Sequence, residues 1–360
     1  MSASVRFVSY KGKRGFVVRG GPEVQPTRQD SHMGRSFYLV SRLEAANWGT
    51  VQNYDGAGMS AGPLHVIAYL PASGDPGPLW RMVRKIFDAS SAPAVGFLRR
   101  KLDSLGWSVD ERGVVRDSSG TAVRGSVIRE QLSAPDGRVP ESGPVHDRAK
   151  NWALLFHGAF ADPSSYPAQY EGTVDWLLGN FDAEADAYRK YVPGLTGSDA
   201  DVKRWVRGAT MAQVGPYLDL AMSIYHAFSA NAPGVAKRVL NSVLARNLNV
   251  RDFAKALPKA LEDSGYKNWD VRARKTKSAV ARSGLWPEEV VEYVYPDAQA
   301  ASMRVYVDEV ADAVSEAATD AAGSVLPVLL LGGSAGALLW YMHKRRAGKR
   351  KSGGGLRRSR

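Results

Sequence analysis

The 360-residue chain contains no cysteine, which excludes disulfides and thiolate metal sites and leaves the redox compartment open. Histidine is scarce: the six lie at positions 32, 65, 146, 157, 226 and 343, and none forms an HExxH pair, so a zinc peptidase is not expected. No metal ion or other cofactor is called for. No apolar run follows Met1, so no cleavable signal peptide is expected. Acidic residues are in deficit, and the formal net charge is +12. That excess is local, because residues 344–360 carry nine Lys and Arg and no acid. The remainder is only mildly basic, and nucleic acid is not its expected ligand. Salt-dependent nucleic-acid contact by the tail alone is the weakest of the readings.

What the chain does have is a hydrophobic fraction of 44%, ample for a large core, and one stretch dense in candidate chemistry, Glu44 to His65. Asp30-Ser31 can cap a helix over residues 33–46. Phe37, Val40 and Glu44 then share one face, flanked by Leu39 and Leu43. Glu44 would leave the last turn from an apolar stripe, at the negative end of the helix dipole, a setting that suits a general acid. Residues 50–54 read as a strand, Asp55-Gly56-Ala57-Gly58 as a turn, and 59–61 as the returning strand.

A Glu closing a helix, an Asp-Gly-Ala-Gly-Met-Ser-Ala-Gly hairpin (Asp55 to Gly62) and a Ser60-Ala-Gly-Pro-Leu-His65 run resemble the active-site lobe of the lysozyme superfamily, the phage-type lysozymes and related chitosanases. The resemblance spans residues 31–66. It departs from the phage enzymes in the Glu-to-Asp spacing and in having Ser where Thr is commoner. By position it implies that Glu44 is the acid, Asp55 the carboxylate that activates water, and Ser60 a residue that helps hold that water. The implied substrate is the β-1,4-linked aminosugar strand of peptidoglycan, cleaved with inversion. Two carboxylates about 6.5–9.5 Å apart invert and about 5 Å apart retain. The alternative implied is a non-catalytic lysozyme-like scaffold that serves as a structural or envelope-interaction protein.

The rest of the chain fits an α+β, mainly α, two-lobed architecture. Residues 4–10 and 15–19 read as an N-terminal β arm, assigned to residues 1–30. The lysozyme-like domain, with insertions, is assigned to 31–296. Helices are expected over 79–89, 97–105, 146–160, 169–181, 182–191, 199–207, 214–229, 235–245, 251–264 and 268–283, with a second hairpin in 107–127 and a Pro/Gly/Ser connector at 134–144. Glu130, Glu171 and Asp175 read as solvated helix-face acids, and His157 and His226, among aromatics, as satisfied core histidines.

Residues 297–323 form an acidic, Ala-rich amphipathic stalk. Residues 324–342 then run without a charge, and at about 1.5 Å per residue they reach about 29 Å, the thickness of a bilayer core. The transmembrane helix is assigned to 324–343 and the basic tail to 344–360. Lys/Arg bias places that tail in the cytoplasm and the catalytic domain outside it, in a single-pass membrane protein or a virion-associated one. Gly332 and Gly336 form a helix-packing pair that would support self-association. The Gly-x-Ser-x-Gly match at 332–336 lacks the strand–turn–helix setting of a nucleophile elbow and is read as chance.

Overall fold

The computed structural model describes residues 4–296 apart from 11, 26–30, 45–46, 55–56, 71–76, 135 and 137. The expected stalk, membrane helix, Gly332/Gly336 pair and basic tail lie outside the described residues. No helix among the described residues is long and apolar enough to cross a membrane.

The described chain is mainly helical with a small antiparallel sheet. β1 (Ser4–Tyr10) and β2 (Lys13–Arg19) form the expected N-terminal hairpin, with Phe7 opposite Phe16. This arm does not stand apart: Val17 and Val18 of β2 pair with Gln52 and Val51 of β3 (Val51–Gln52). β3 pairs with β4 (Ser60–Ala61), and β4 with β5 (Val66–Ile67), giving the order β1-β2-β3-β4-β5. Short strands suffice because the sheet is clamped from one side by a helix that packs on β2, β3 and β4.

α1 (His32–Glu44) precedes β3. α2 (Leu79–Ala89) and α3 (Pro93–Asp103) follow the sheet. The second hairpin is β6 (Ser108–Val109) with β7 (Val115–Arg116). The hairpin expected from 113–116 and 121–124 around the turn at 117–120 is reduced to that turn and a single bridge of Arg116 to Ala122, because 115–116 pair instead with 108–109 and α4 (Gly125–Leu132) begins soon after. α5 (Pro144–Ala161) is the helix that clamps the sheet, and Pro144 at its first turn costs no hydrogen bond.

α6 (Tyr166–Leu177), α7 (Asp182–Tyr191), α8 (Asp199–Gly208) and the single turn α9 (Met211–Val214) lead to α10 (Pro216–Ser229). α8 starts with a capping box in which the Ser198 side chain and the Asp201 carboxylate satisfy each other's backbone amides. α11 (Pro233–Leu244), α12 (Val250–Glu262), α13 (Trp269–Ser283) and α14 (Glu288–Val294) pack around α10. Every residue of α10 from Leu218 to Phe228 is buried. α10 is therefore the axle of the helical part, and α1 lies along it.

Candidate functional site

α1 begins where Ser31 Oγ accepts the Gly34 amide at 3.0 Å, an N-cap bond that closes one of the orphan donors of the first turn. Phe37, Leu39, Val40 and Leu43 are buried as their spacing requires. The helix is more enclosed than an amphipathic stripe, however, because Gly34, Arg35, Ser36 and Ser41 on its other faces are buried too. Glu44 is its last residue. Its side chain is 24% exposed, and Oε1 accepts from the Arg272 guanidinium on α13, itself only 11% exposed. Arg272 also donates through Nε to the Ala227 carbonyl at 2.8 Å, so it ties the end of α1 to the last turns of α10. Burial pushes the Arg272 guanidinium down, against the pull of Glu44.

Beyond Glu44 the chain enters the sheet past an aromatic group. The Trp48 ring stacks on Tyr166 with centroids 4.5 Å apart and planes 11° from parallel, and it meets Phe37 at 5.3 Å. Both Trp48 and Tyr166 keep part of their surface in solvent. His157 bonds through Nδ1 to the Gly49 carbonyl at 2.5 Å, so it is a satisfied partner of the sheet's first turn.

Asp55, with Gly56, lies outside the described residues. The strands on either side of that turn pair as expected, Gln52 opposite Ser60 and Val51 opposite Ala61. Ser60 is fully buried within the sheet. Next to it, Asn53 is also fully buried and acts as the knot of the lobe: Oδ1 accepts the Phe16 amide at 2.7 Å, and Nδ2 donates to the Ala149 carbonyl at 2.9 Å and the Leu132 carbonyl at 3.3 Å. Gly15 is obligatory there, since a Cβ would sit 2.8 Å from Asn53 Oδ1. His65 takes φ +50°, and its Nε2 is buried with no hydrogen-bond partner among the described residues. Burial, with a smaller push from Arg19, lowers its pKa to about 4.

The densest cluster of titratable groups is elsewhere, between α1, α7 and α10. Asp219 accepts Arg35 Nε at 2.8 Å and Arg35 Nη2 at 2.5 Å, the Trp286 indole at 2.6 Å, and His32 Nδ1 at 3.0 Å. All four side chains are buried. Burial opposes the charge on Asp219, but His32 and Arg35 outweigh it and hold the carboxyl below the usual range. Burial also pushes His32 down, against the pull of Asp219. A carboxylate can only accept, so Nδ1 of His32 is the donor, and in the neutral ring Nε2 accepts the Tyr188 hydroxyl at 2.6 Å. The Tyr188 phenol is raised well above its ordinary range by burial and by Glu184 and Asp219.

His226 sits 5.7 Å from His32, ring to ring. Its Nε2 pairs with Glu184 Oε2 at 2.9 Å and its Nδ1 with Ser36 Oγ at 2.9 Å, and Ser36 reaches Ser223 at 3.1 Å. His226 is thus a satisfied core histidine. Its acidic partner comes from α7, and Glu184 also lines a cavity of about 260 Å³ with Tyr225 and Lys237.

His32, Arg35, Asp219 and Glu184 were not among the residues singled out from the sequence. A signal was present: His32, Arg35 and Ser36, and Asp219, Ser223 and His226, are polar residues at helical spacing inside otherwise apolar segments. Of the acids read as solvated, Glu130 is exposed, while Glu171 and Asp175 are less free than expected. Arg207 grips Asp175 at 2.7 Å and Glu171 at 2.5 Å, and Lys85 adds a bond to Asp175 at 3.1 Å.

Among the described residues no group of three His, Asp or Glu side chains is placed to hold a metal ion. No family model, curated protein or solved structure matches the chain.

Proposed function

We propose that this protein cleaves the β-1,4 aminosugar backbone of peptidoglycan by acid/base catalysis of lysozyme type. Glu44 protonates the leaving oxygen, Asp55 activates water, and Ser60, enclosed in the sheet, steadies that water from below. The observation that carries the reading is the placement of Glu44. It is a partly exposed carboxylate at the end of an otherwise buried helix, and the chain passes from it directly into the antiparallel strands that flank Asp55. Arg272 fixes the Glu44 side chain. A sugar oxygen entering between them would take over the guanidinium's hydrogen bond, and Glu44, released from that cation, would take a proton from solvent before giving it to the glycosidic oxygen. In this reading the two-lobed lysozyme-like domain is held outside the cytoplasm by a membrane helix at 324–343, with the 344–360 tail inside.

The occupied Oε1 of Glu44 and the complete burial of Ser60 favour a second reading, a lysozyme-like scaffold without activity that contacts the cell envelope. One experiment separates them. Isolated sacculi are incubated with the purified chain and with Glu44→Gln, and released fragments are analysed. Loss of a general acid costs about 10²–10⁴-fold in rate. Fragments from the wild type alone support the hydrolase. Equal release by both proteins removes Glu44 from the mechanism, and release by neither leaves the scaffold.

A further inference from the structure

One concave surface shares no residue with the site around Glu44. It has a volume of about 680 Å³ and is walled by the residues after β5, the start of α2, the β6–β7 turn and the approach to α4. Ligand sites commonly have about 300–1,000 Å³. Arg81, Arg112 and Arg124 line it, and among the described residues no Asp or Glu does. Among the described residues none of the three guanidinia has a carboxylate partner. Their neighbours do: Arg84 is paired with Asp88 and Arg116 with Asp110. Asp88 and Asp110 are thus spent on other arginines, and Arg81, Arg112 and Arg124 line the cleft without one.

The cleft is also built to stay open. Gly113, at φ +77°, brings the β6–β7 turn against α2 so closely that a Cβ would lie 2.6 Å from the Arg81 amide nitrogen. That contact fixes Arg112 beside Arg81. Leu70, Pro78 and Val123 supply an apolar wall. Neither α2 nor α4 has a side-chain cap at its start, so their first amides add partial positive charge to the same side.

The geometry points to a binding site for a phosphate-bearing ligand with at least two negative charges, such as a diphosphate group with an uncharged body lying along the apolar wall. A single carboxylate would satisfy one guanidinium fork and leave two cations facing each other. A diphosphate offers enough oxygens to accept from all three. The site does not depend on glycan cleavage, and it stands or falls apart from the role of Glu44.

The test is calorimetric titration of the full-length chain, in mild detergent, with inorganic pyrophosphate and separately with citrate. The variants are Arg81→Ser, Arg112→Ser, Arg124→Ser and the triple. Arg204→Ser, on α8, is the control. All these side chains are exposed, and circular dichroism checks that each variant keeps its fold. Pyrophosphate is expected to bind, each single change to weaken it roughly tenfold or more, and the triple to abolish it, with the control unaltered. Three results overturn the proposal: no binding by the wild type, binding by the triple variant as tight as the wild type, or citrate binding as tightly as pyrophosphate, which would mean that charge alone is read.

Discussion

Arg35 holds Asp219 in a two-pronged grip, Nε to Oδ1 at 2.8 Å and Nη2 to Oδ2 at 2.5 Å, across the interface between α1 and α10. Both side chains are buried, so neither can fall back on water if the other is removed.

Asp219→Asn is therefore expected to cost about 3–5 kcal/mol, the range for breaking a buried pair, because it strands the Arg35 charge. Replacing both partners, Arg35→Met with Asp219→Leu, is expected to cost less than the single change, even though His32 and Trp286 lose an acceptor. Urea titration of the two variants checks the order. A double variant less stable than Asp219→Asn would show that Asp219 matters chiefly to His32 and Trp286.

Arg272 serves Glu44 and the Ala227 carbonyl at once. Arg272→Lys is expected to lose one of these bonds, since an ammonium on a flexible stem cannot reproduce the guanidinium fork. A loss of roughly 1–3 kcal/mol follows from leaving a buried carbonyl or a half-buried carboxylate short of a donor. The drop is read as a lower urea midpoint. Release of fragments from sacculi is expected to fall further than the stability does, because the position of Glu44 is lost with the pair.

His32 and His65 are both shifted downward on folding, so both are neutral in the folded chain at pH values where the unfolded chain has begun to protonate them. The unfolded state then binds more protons, and stability falls as pH drops below about 6.5. With a folded pKa of about 4, His65 alone accounts for roughly 2 kcal/mol by pH 5. The expected result is a melting temperature that declines from pH 7 to pH 5, and a shallower decline in His65→Asn, which tolerates φ +50° and does not titrate. Parallel profiles for the two proteins would place the acid sensitivity elsewhere.

Periodicity made much of the helical part legible. The expected 79–89 and 182–191 coincide with α2 and α7, whose apolar residues recur at helical steps between clear breakers. The strands at 4–10 and the pairing of 51–52 with 60–61 followed from β-branched runs around glycine turns. α4 was legible only as a helical setting for Glu130, without bounds, because Val127 and Ile128 favour strands and its start has no capping side chain. α14 was missed for a related reason: it has seven residues and begins Glu-Glu-Val-Val.

Of the candidate site, the sequence placed Glu44 at a helix end but could not show Arg272, which arrives from 228 residues away. Long-range partners leave no trace in local spacing. The same holds for Glu184. On α7 alone it looks like a first-turn acid on a solvated face, and only the packing of α10 turns it inward to His226.

The burial of α1 along α10 sets an order of events during synthesis. His32 meets Asp219 187 residues later in the chain, which is roughly 10–40 s at about 5–20 residues per second. Throughout that interval the helix has emerged with His32, Arg35 and Ser36, whose partners Asp219, Ser223 and His226 do not yet exist. It can form turns but cannot settle, and Trp286 closes on Asp219 later still. An early helix is thus among the last elements to reach its final surroundings, while the strands on either side of it, β2 and β3, can pair long before.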